Sequence, residues 1–120
     1  MIKNVLFVAA GGALGSVARY LLTTLFVYFT LCGEWAILLA NVLGSFLIGL
    51  SIPTLSNSAY LFAAVGFCGG FTTFSTFSSQ ALQLFQSGER FTAMIYMIVS
   101  VLASVLSVML GIYFADRFIK

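Results

Sequence analysis

The sequence predicts an all-α membrane protein of four transmembrane helices, the third broken near mid-membrane. Three observations carry this reading. Hydrophobic residues make up 62% of the 120 and charged residues only 7%, with a mean hydropathy of +1.15, whereas a water-exposed surface needs several times that charge fraction. The apolar residues fall into four stretches, roughly Asn4 to Phe29, Trp35 to Ile52, Tyr60 to Phe85 and Phe91 to Ala115. As helices these are about 27 to 39 Å long, against a bilayer core of about 30 Å. The third stretch carries Gly66-Phe67-Cys68-Gly69-Gly70-Phe71-Thr72-Thr73, a glycine pair followed by hydroxyls that compete for backbone hydrogen bonds.

The first stretch is too long for a signal peptide and lacks the usual small-residue cleavage site, so it is expected to be a retained helix. Gly11, Gly15 and Arg19 recur at four-residue spacing, with Gly12 and Ser16 beside them, a stripe that lets another backbone approach closely. Arg19 has two readings. It snorkels at the interface, or it is a buried or vestibular cation that holds structure together or attracts anions, because an unpaired charge at membrane depth costs at least about 2.5 kcal/mol.

The second helix aligns Asn41, Ser45 and Gly49, flanked by Ala40 and Gly44. An asparagine inside an apolar helix needs partners, and its amide serves either another helix or an anion. In the third span a break is expected near Gly69 to Thr73, tolerated only where it faces protein or water. Its freed carbonyls are ready ligands for a monovalent cation such as Na⁺. Beyond it Phe74 and Phe77 share a face, with Ser75, Thr76 and Ser79 on the neighbouring one. Phenyl edges are positive and hydroxyls donate, so both suit a small dehydrated anion; the same rings also suit a packed core. The fourth helix aligns Tyr96, Ser100, Ser104, Ser107 and Gly111, either as helix packing or as one wall of a hydroxylated path.

Short connections, Thr30 to Glu34, Pro53 to Ala59 and Gln86 to Arg90, make neighbouring helices antiparallel. An even number of spans puts Lys3, Arg117 and Lys120 on one side and Arg90 on the other. This bias is weak, so the chain inserts with its termini in the cytoplasm or inserts both ways. Four short-looped helices leave little interior for a polar path, which implies an oligomer. Cys32 and Cys68, with no histidine in the chain, are a poor metal set and read as inert small residues.

No Lys, Arg, Asp or Glu lies between Trp35 and Gly88. Anything that permeates there must be met by hydroxyls, amides or backbone groups, as in a pore lining. A small dual-topology multidrug exporter has similar dimensions but needs an intramembrane carboxylate, and Glu34 is placed at a loop. A non-transporting assembly subunit would use the small-residue stripes for packing alone.

The motifs Gly11-Gly12-Ala13-Leu14-Gly15-Ser16-Val17-Ala18-Arg19-Tyr20, Asn41-Val42-Leu43-Gly44-Ser45-Phe46-Leu47-Ile48-Gly49 and Gly66 through Ser78 resemble the Fluc/CrcB family of small fluoride ion channels, across essentially the whole chain. The resemblance implies an antiparallel, dual-topology homodimer of four-helix subunits in a microbial cell membrane. It would export fluoride passively through two pathways, with lipid around it and neither enzymatic activity nor a nucleic-acid partner. It places Asn41, Phe74, Ser75, Thr76 and Phe77 on the fluoride pathway, with Tyr96, Ser104 and Ser107 approaching it, and Arg19 at the pore entrance. It also implies one structural Na⁺, shared by two subunits and held by the backbone carbonyls of Gly69 and Thr72.

Overall fold

The computed structural model describes all residues, Met1–Lys120, and four helical spans account for nearly all of them. The first helix is Ile2–Tyr28 and the second Gly33–Thr54. The third span, Asn57–Gln86, is interrupted. The fourth helix, Arg90–Phe114, continues into a wider π turn, Ala115–Ile119. Pro53 lies in the last turn of the second helix rather than in the connection. It removes a single donor there, and the Ser51 and Thr54 hydroxyls bond back to Leu47 and Leu50 to complete the turn. Gly88 takes φ +87° in the short turn before the fourth helix, a conformation that favours glycine.

The third span is helical through residues 57–71, with a π-helical stretch over Leu61–Cys68. Thr72 (φ −82°, ψ 156°) and Thr73 (φ −149°, ψ 119°) are then extended, and a second helix runs over Phe74–Gln86. The glycine pair is not what breaks the helix: Gly69 keeps helical angles (φ −61°, ψ −37°) and both glycines precede the break. The threonines do it. The Thr72 hydroxyl donates to the Cys68 carbonyl, 2.8 Å, closing the first half. The Thr73 hydroxyl accepts from the Thr76 amide, 3.2 Å, as the N-cap of the second half.

Two glycine seams set the packing. The first helix lies on the first half of the third span, where a Cβ on Gly11 or Gly15 would come under 3.0 Å from the carbonyl oxygen of Phe62 or Phe67. Gly66 and Gly70 face the same helix from the other side, meeting the Val8 and Gly12 carbonyls. The second and fourth helices meet where Gly49 and Gly111 abut, with Cα of each about 3.0 Å from where the other's Cβ would stand. This is the close backbone approach expected of small residues where no hydrophobic effect drives helices together. The second half of the third span closes over the second and fourth helices through a cluster of Ile37, Phe77, Ala81 and Tyr96.

Only 21 of 120 residues are buried, and large apolar side chains are exposed along every span. That surface suits hydrocarbon and not water. The long axis, 46 Å, covers a bilayer core of about 30 Å together with its interfaces. The chain is a multi-pass integral membrane protein.

The seams make a paired test. Gly15→Ala is expected to destabilise by about 1 to 3 kcal/mol, because the methyl would meet backbone atoms that cannot yield. Gly12→Ala, whose new methyl would find only the Gly66 carbonyl at 3.8 Å, should be close to neutral. Thermal unfolding of the two variants in one detergent measures the difference; equal midpoints would remove the seam from the account.

Candidate functional site

A helical i to i+4 bond cannot span two extended residues, so the break releases the carbonyls of Gly69, Gly70, Phe71 and Thr72 from their usual donors. Neighbouring helices take up part of what is released. Asn41, from the middle of the second helix, grips both backbone polar groups of Thr73. Its Oδ1 accepts from the Thr73 amide at 2.8 Å and its Nδ2 donates to the Thr73 carbonyl at 3.2 Å. On the opposite flank, Arg19 Nε donates to the Gly70 carbonyl at 3.1 Å. The first helix runs on to Tyr28, so Arg19 lies within it and not at its end. No side chain donates to the carbonyls of Gly69 and Thr72.

Beside the break is a cavity of about 410 Å³ between the second helix, the third span and the fourth helix. Its polar wall consists of Asn41, Ser45, Thr72, Thr73, Ser100 and Ser104, and no charged side chain reaches it. Phe74 and Phe77 also line it, their ring centroids 5.6 Å apart at 52°. The two rings are held differently. Phe77 is 7% exposed and packs on Tyr96 at 5.3 Å, whereas Phe74 is 76% exposed. Ser100 is the one buried side-chain polar group without a hydrogen-bond partner, and it stands on this wall. An unpaired buried hydroxyl costs about 1 to 3 kcal/mol unless something fills the cavity beside it.

The structure therefore brings Asn41, Gly69, Thr72, Phe74, Phe77 and Ser104 to one cavity. Ser75 and Thr76 lie in the first turn beyond the break and join it through Thr73, whose Oγ1 is 3.3 Å from Ser75 Oγ and donates to Thr76 Oγ1 at 3.2 Å. Three of the expected residues stand elsewhere. Arg19 reaches the break from the first helix and is not on the cavity wall. Ser107 is buried but away from it. Tyr96 is on a second cavity of about 370 Å³ with Glu34, Trp35 and Glu89, and donates to Gln80 Oε1 at 2.7 Å.

Thr73 and Ser100 are the residues that the sequence reading undervalues. Thr73 is the hub of the break, signalled only by a hydroxyl three residues before Thr76, an N-cap spacing. Ser100 lies between Tyr96 and Ser104 at helical spacing, but nothing in that spacing separates it from Ser107. The distinction depends on which side of the fourth helix the third span covers.

The family model described as CrcB-like protein, Camphor Resistance (CrcB), matches residues 6–112. Similar proteins include three that carry the name fluoride-specific ion channel FluC. One from Phocaeicola vulgatus is 42% identical over 120 residues, covering 95% of this chain and 99% of its own length. One from Nitrobacter winogradskyi is 46% identical over 115 residues, covering 90% and 91%. One from Francisella tularensis subsp. mediasiatica is 42% identical over 118 residues, covering 90% and 91%. A match that runs through the first helix, both halves of the broken span and the fourth helix leaves no part of the site outside it, and the chain belongs to the CrcB family.

Proposed function

We propose that the chain is one subunit of a passive, fluoride-selective channel that lets F⁻ leave the cytoplasm. The observation that carries this reading, beside the family and the name of its relatives, is the uncharged wall of the 410 Å³ cavity. Fluoride is small and strongly hydrated, so a pore must replace its water with several short hydrogen bonds while staying too narrow for chloride. Hydroxyls and amides do this without trapping the ion. A carboxylate would repel it, and none occurs between Trp35 and Gly88. After gripping Thr73, Asn41 keeps one Nδ2 hydrogen to offer. The Ser100 hydroxyl is unspent, and the edges of Phe74 and Phe77 carry partial positive charge.

In this reading Asn41, Phe74, Ser75, Thr76 and Phe77 line the path, with Ser104 opposite and Tyr96 and Ser107 flanking it. Arg19 stands outside the cavity, as a structural residue near the pore entrance. One copy does not enclose the path, because Phe74 is largely bare and nothing approaches Gly69 within 4 Å of where a Cβ would stand. A second, antiparallel copy would cover both, giving a dual-topology homodimer with two pathways.

The same open face fits a monovalent cation. Gly69 and Thr72 both line the cavity, and the break takes away the helical donors of their hard carbonyl oxygens. Two such oxygens are too few in one chain, but two copies supply four, a set that favours Na⁺ over transition metals. Bound there, Na⁺ would add fixed positive charge and tie the two broken spans together.

Reconstituted in liposomes, the protein should release fluoride rapidly only when valinomycin lets potassium follow, and chloride should leave far more slowly. Release independent of that counter-ion, or dependent on a proton or sodium gradient, would contradict a simple channel. Phe77→Ile and Phe74→Ile keep bulk and remove the ring quadrupole, so flux should fall much further than dimer yield; equal losses would mean that both rings only pack. A structure of the dimer in sodium should contain an ion on its axis, with oxygen distances of about 2.2 to 2.5 Å to Gly69 and Thr72 of each copy. A dimer axis that passes elsewhere would remove the ion from the account.

A further inference from the structure

Arg19 lies inside the first helix with no carboxylate within ion-pair reach; the one ion pair of the chain, Lys120 with Asp116, is in the C-terminal turn. Its guanidinium is half-buried and makes one side-chain hydrogen bond, from Nε to the Gly70 carbonyl at 3.1 Å. That carbonyl is one of those the break deprives of a helical donor, since the Phe74 amide that would have served it lies past two extended residues. Gly70 also lies in the close seam with the first helix, with the Gly12 carbonyl and Ser16 against it. The side chain one turn further along therefore arrives at the edge of the break.

We propose that Arg19 is a positioning residue, its Nε–H standing in for the missing Phe74 amide so that Arg19 on one flank and Asn41 on the other hold the extended pair Thr72–Thr73 between two fixed points. Asn41 holds Thr73 and Arg19 holds Gly70, and the peptide units between those grips point where the two clamps leave them. The Thr72 carbonyl lies between them, and the Gly69 carbonyl immediately precedes the Arg19-held unit. The neutral wall beside them inherits its shape from the same two grips. The donor matters here and the charge is secondary, which separates this role from a general positive potential at a pore mouth.

The side chain itself provides the discriminating variants. In Arg19→Gln the Nε2 donor occupies the place of Nε, bonded to Cδ, without the charge. Arg19→Lys keeps the charge but carries its donor one atom further out. Arg19→Met places a methyl at the level of Nε and has neither. Hydrogen–deuterium exchange of the full-length protein in lipid nanodiscs reads the clamp directly, through the amides of residues 69–76. Loss of a hydrogen bond to a charged donor should speed their exchange by about tenfold in Arg19→Met, with the other spans unchanged, while Arg19→Gln stays within about threefold of the parent protein. Fluoride flux should follow the same order, and that arm alone rests on the channel reading. A parent protein that fails to conduct fluoride would sink that reading and leave the exchange result standing. Exchange in Arg19→Gln as fast as in Arg19→Met, with Arg19→Lys like the parent, would assign the role to charge and overturn the proposal. Exchange unaltered in every variant would make Arg19 a snorkelling side chain and overturn it as well. Should Arg19→Met unfold throughout, the comparison of Arg19→Gln with Arg19→Lys decides alone.

Discussion

Backbone polar groups in hydrocarbon must find partners inside the protein, and the rest of this structure depends on how that rule is met at Thr72–Thr73. Each unsatisfied peptide group at membrane depth costs several kcal/mol, and a two-residue extension releases several at once. The compensation is shared among three elements. Thr72 and Thr73 close and cap their own half-helices, Asn41 satisfies Thr73 from the second helix, and Arg19 satisfies Gly70 from the first. Neighbouring helices are thus chosen by what the break lacks. The carbonyls of Gly69, Phe71 and Thr72 receive no side-chain donor, and Gly69 and Thr72 lie on the cavity beside the break.

The glycine seams follow from that requirement. Arg19 reaches Gly70 only because the first helix lies against the first half of the third span, and it does so over Gly11 and Gly15, where a single methyl would meet backbone. The second and fourth helices are drawn together at Gly49 and Gly111 in the same way. Their contact leaves room further along for a cavity with Asn41 on one wall and Ser100 and Ser104 on the other. Close packing at one level and a void at the next come from one arrangement of small residues.

The cavity's chemistry is notable for its evenness. Its polar groups are all neutral, and none is a fixed charge that would trap an anion. Asn41 gives most of its amide to Thr73, Ser100 keeps its hydroxyl free, and Phe74 and Phe77 complete the lining. Many weak donors in sequence suit an ion that must be dehydrated and yet released. A deep charged site would hold it instead. Phe74 is left open on this wall, whereas Phe77 is packed against Tyr96.

The number of spans, their membrane setting, the short antiparallel connections and the uncharged character of the third span were all legible in the sequence, because hydrophobic length and the placement of charge act locally and survive any packing. Gly11 and Gly15 were legible as a seam for the same reason: only a small side chain permits contact, whatever the partner. Tertiary structure decided the rest. Gly69 and Gly70 looked like the breakers, yet they stay helical, since glycine permits a break without requiring one and it is the Thr72 and Thr73 hydroxyls, with Asn41 waiting, that make one favourable. Ser104 reached the cavity wall while Ser107, three residues on, did not, and Tyr96 turned to Gln80 and a second cavity. Helical spacing fixes which residues share a stripe; the rotation of the fourth helix against its neighbours fixes which part of that stripe faces a void, and this depends on contacts between residues far apart in the chain.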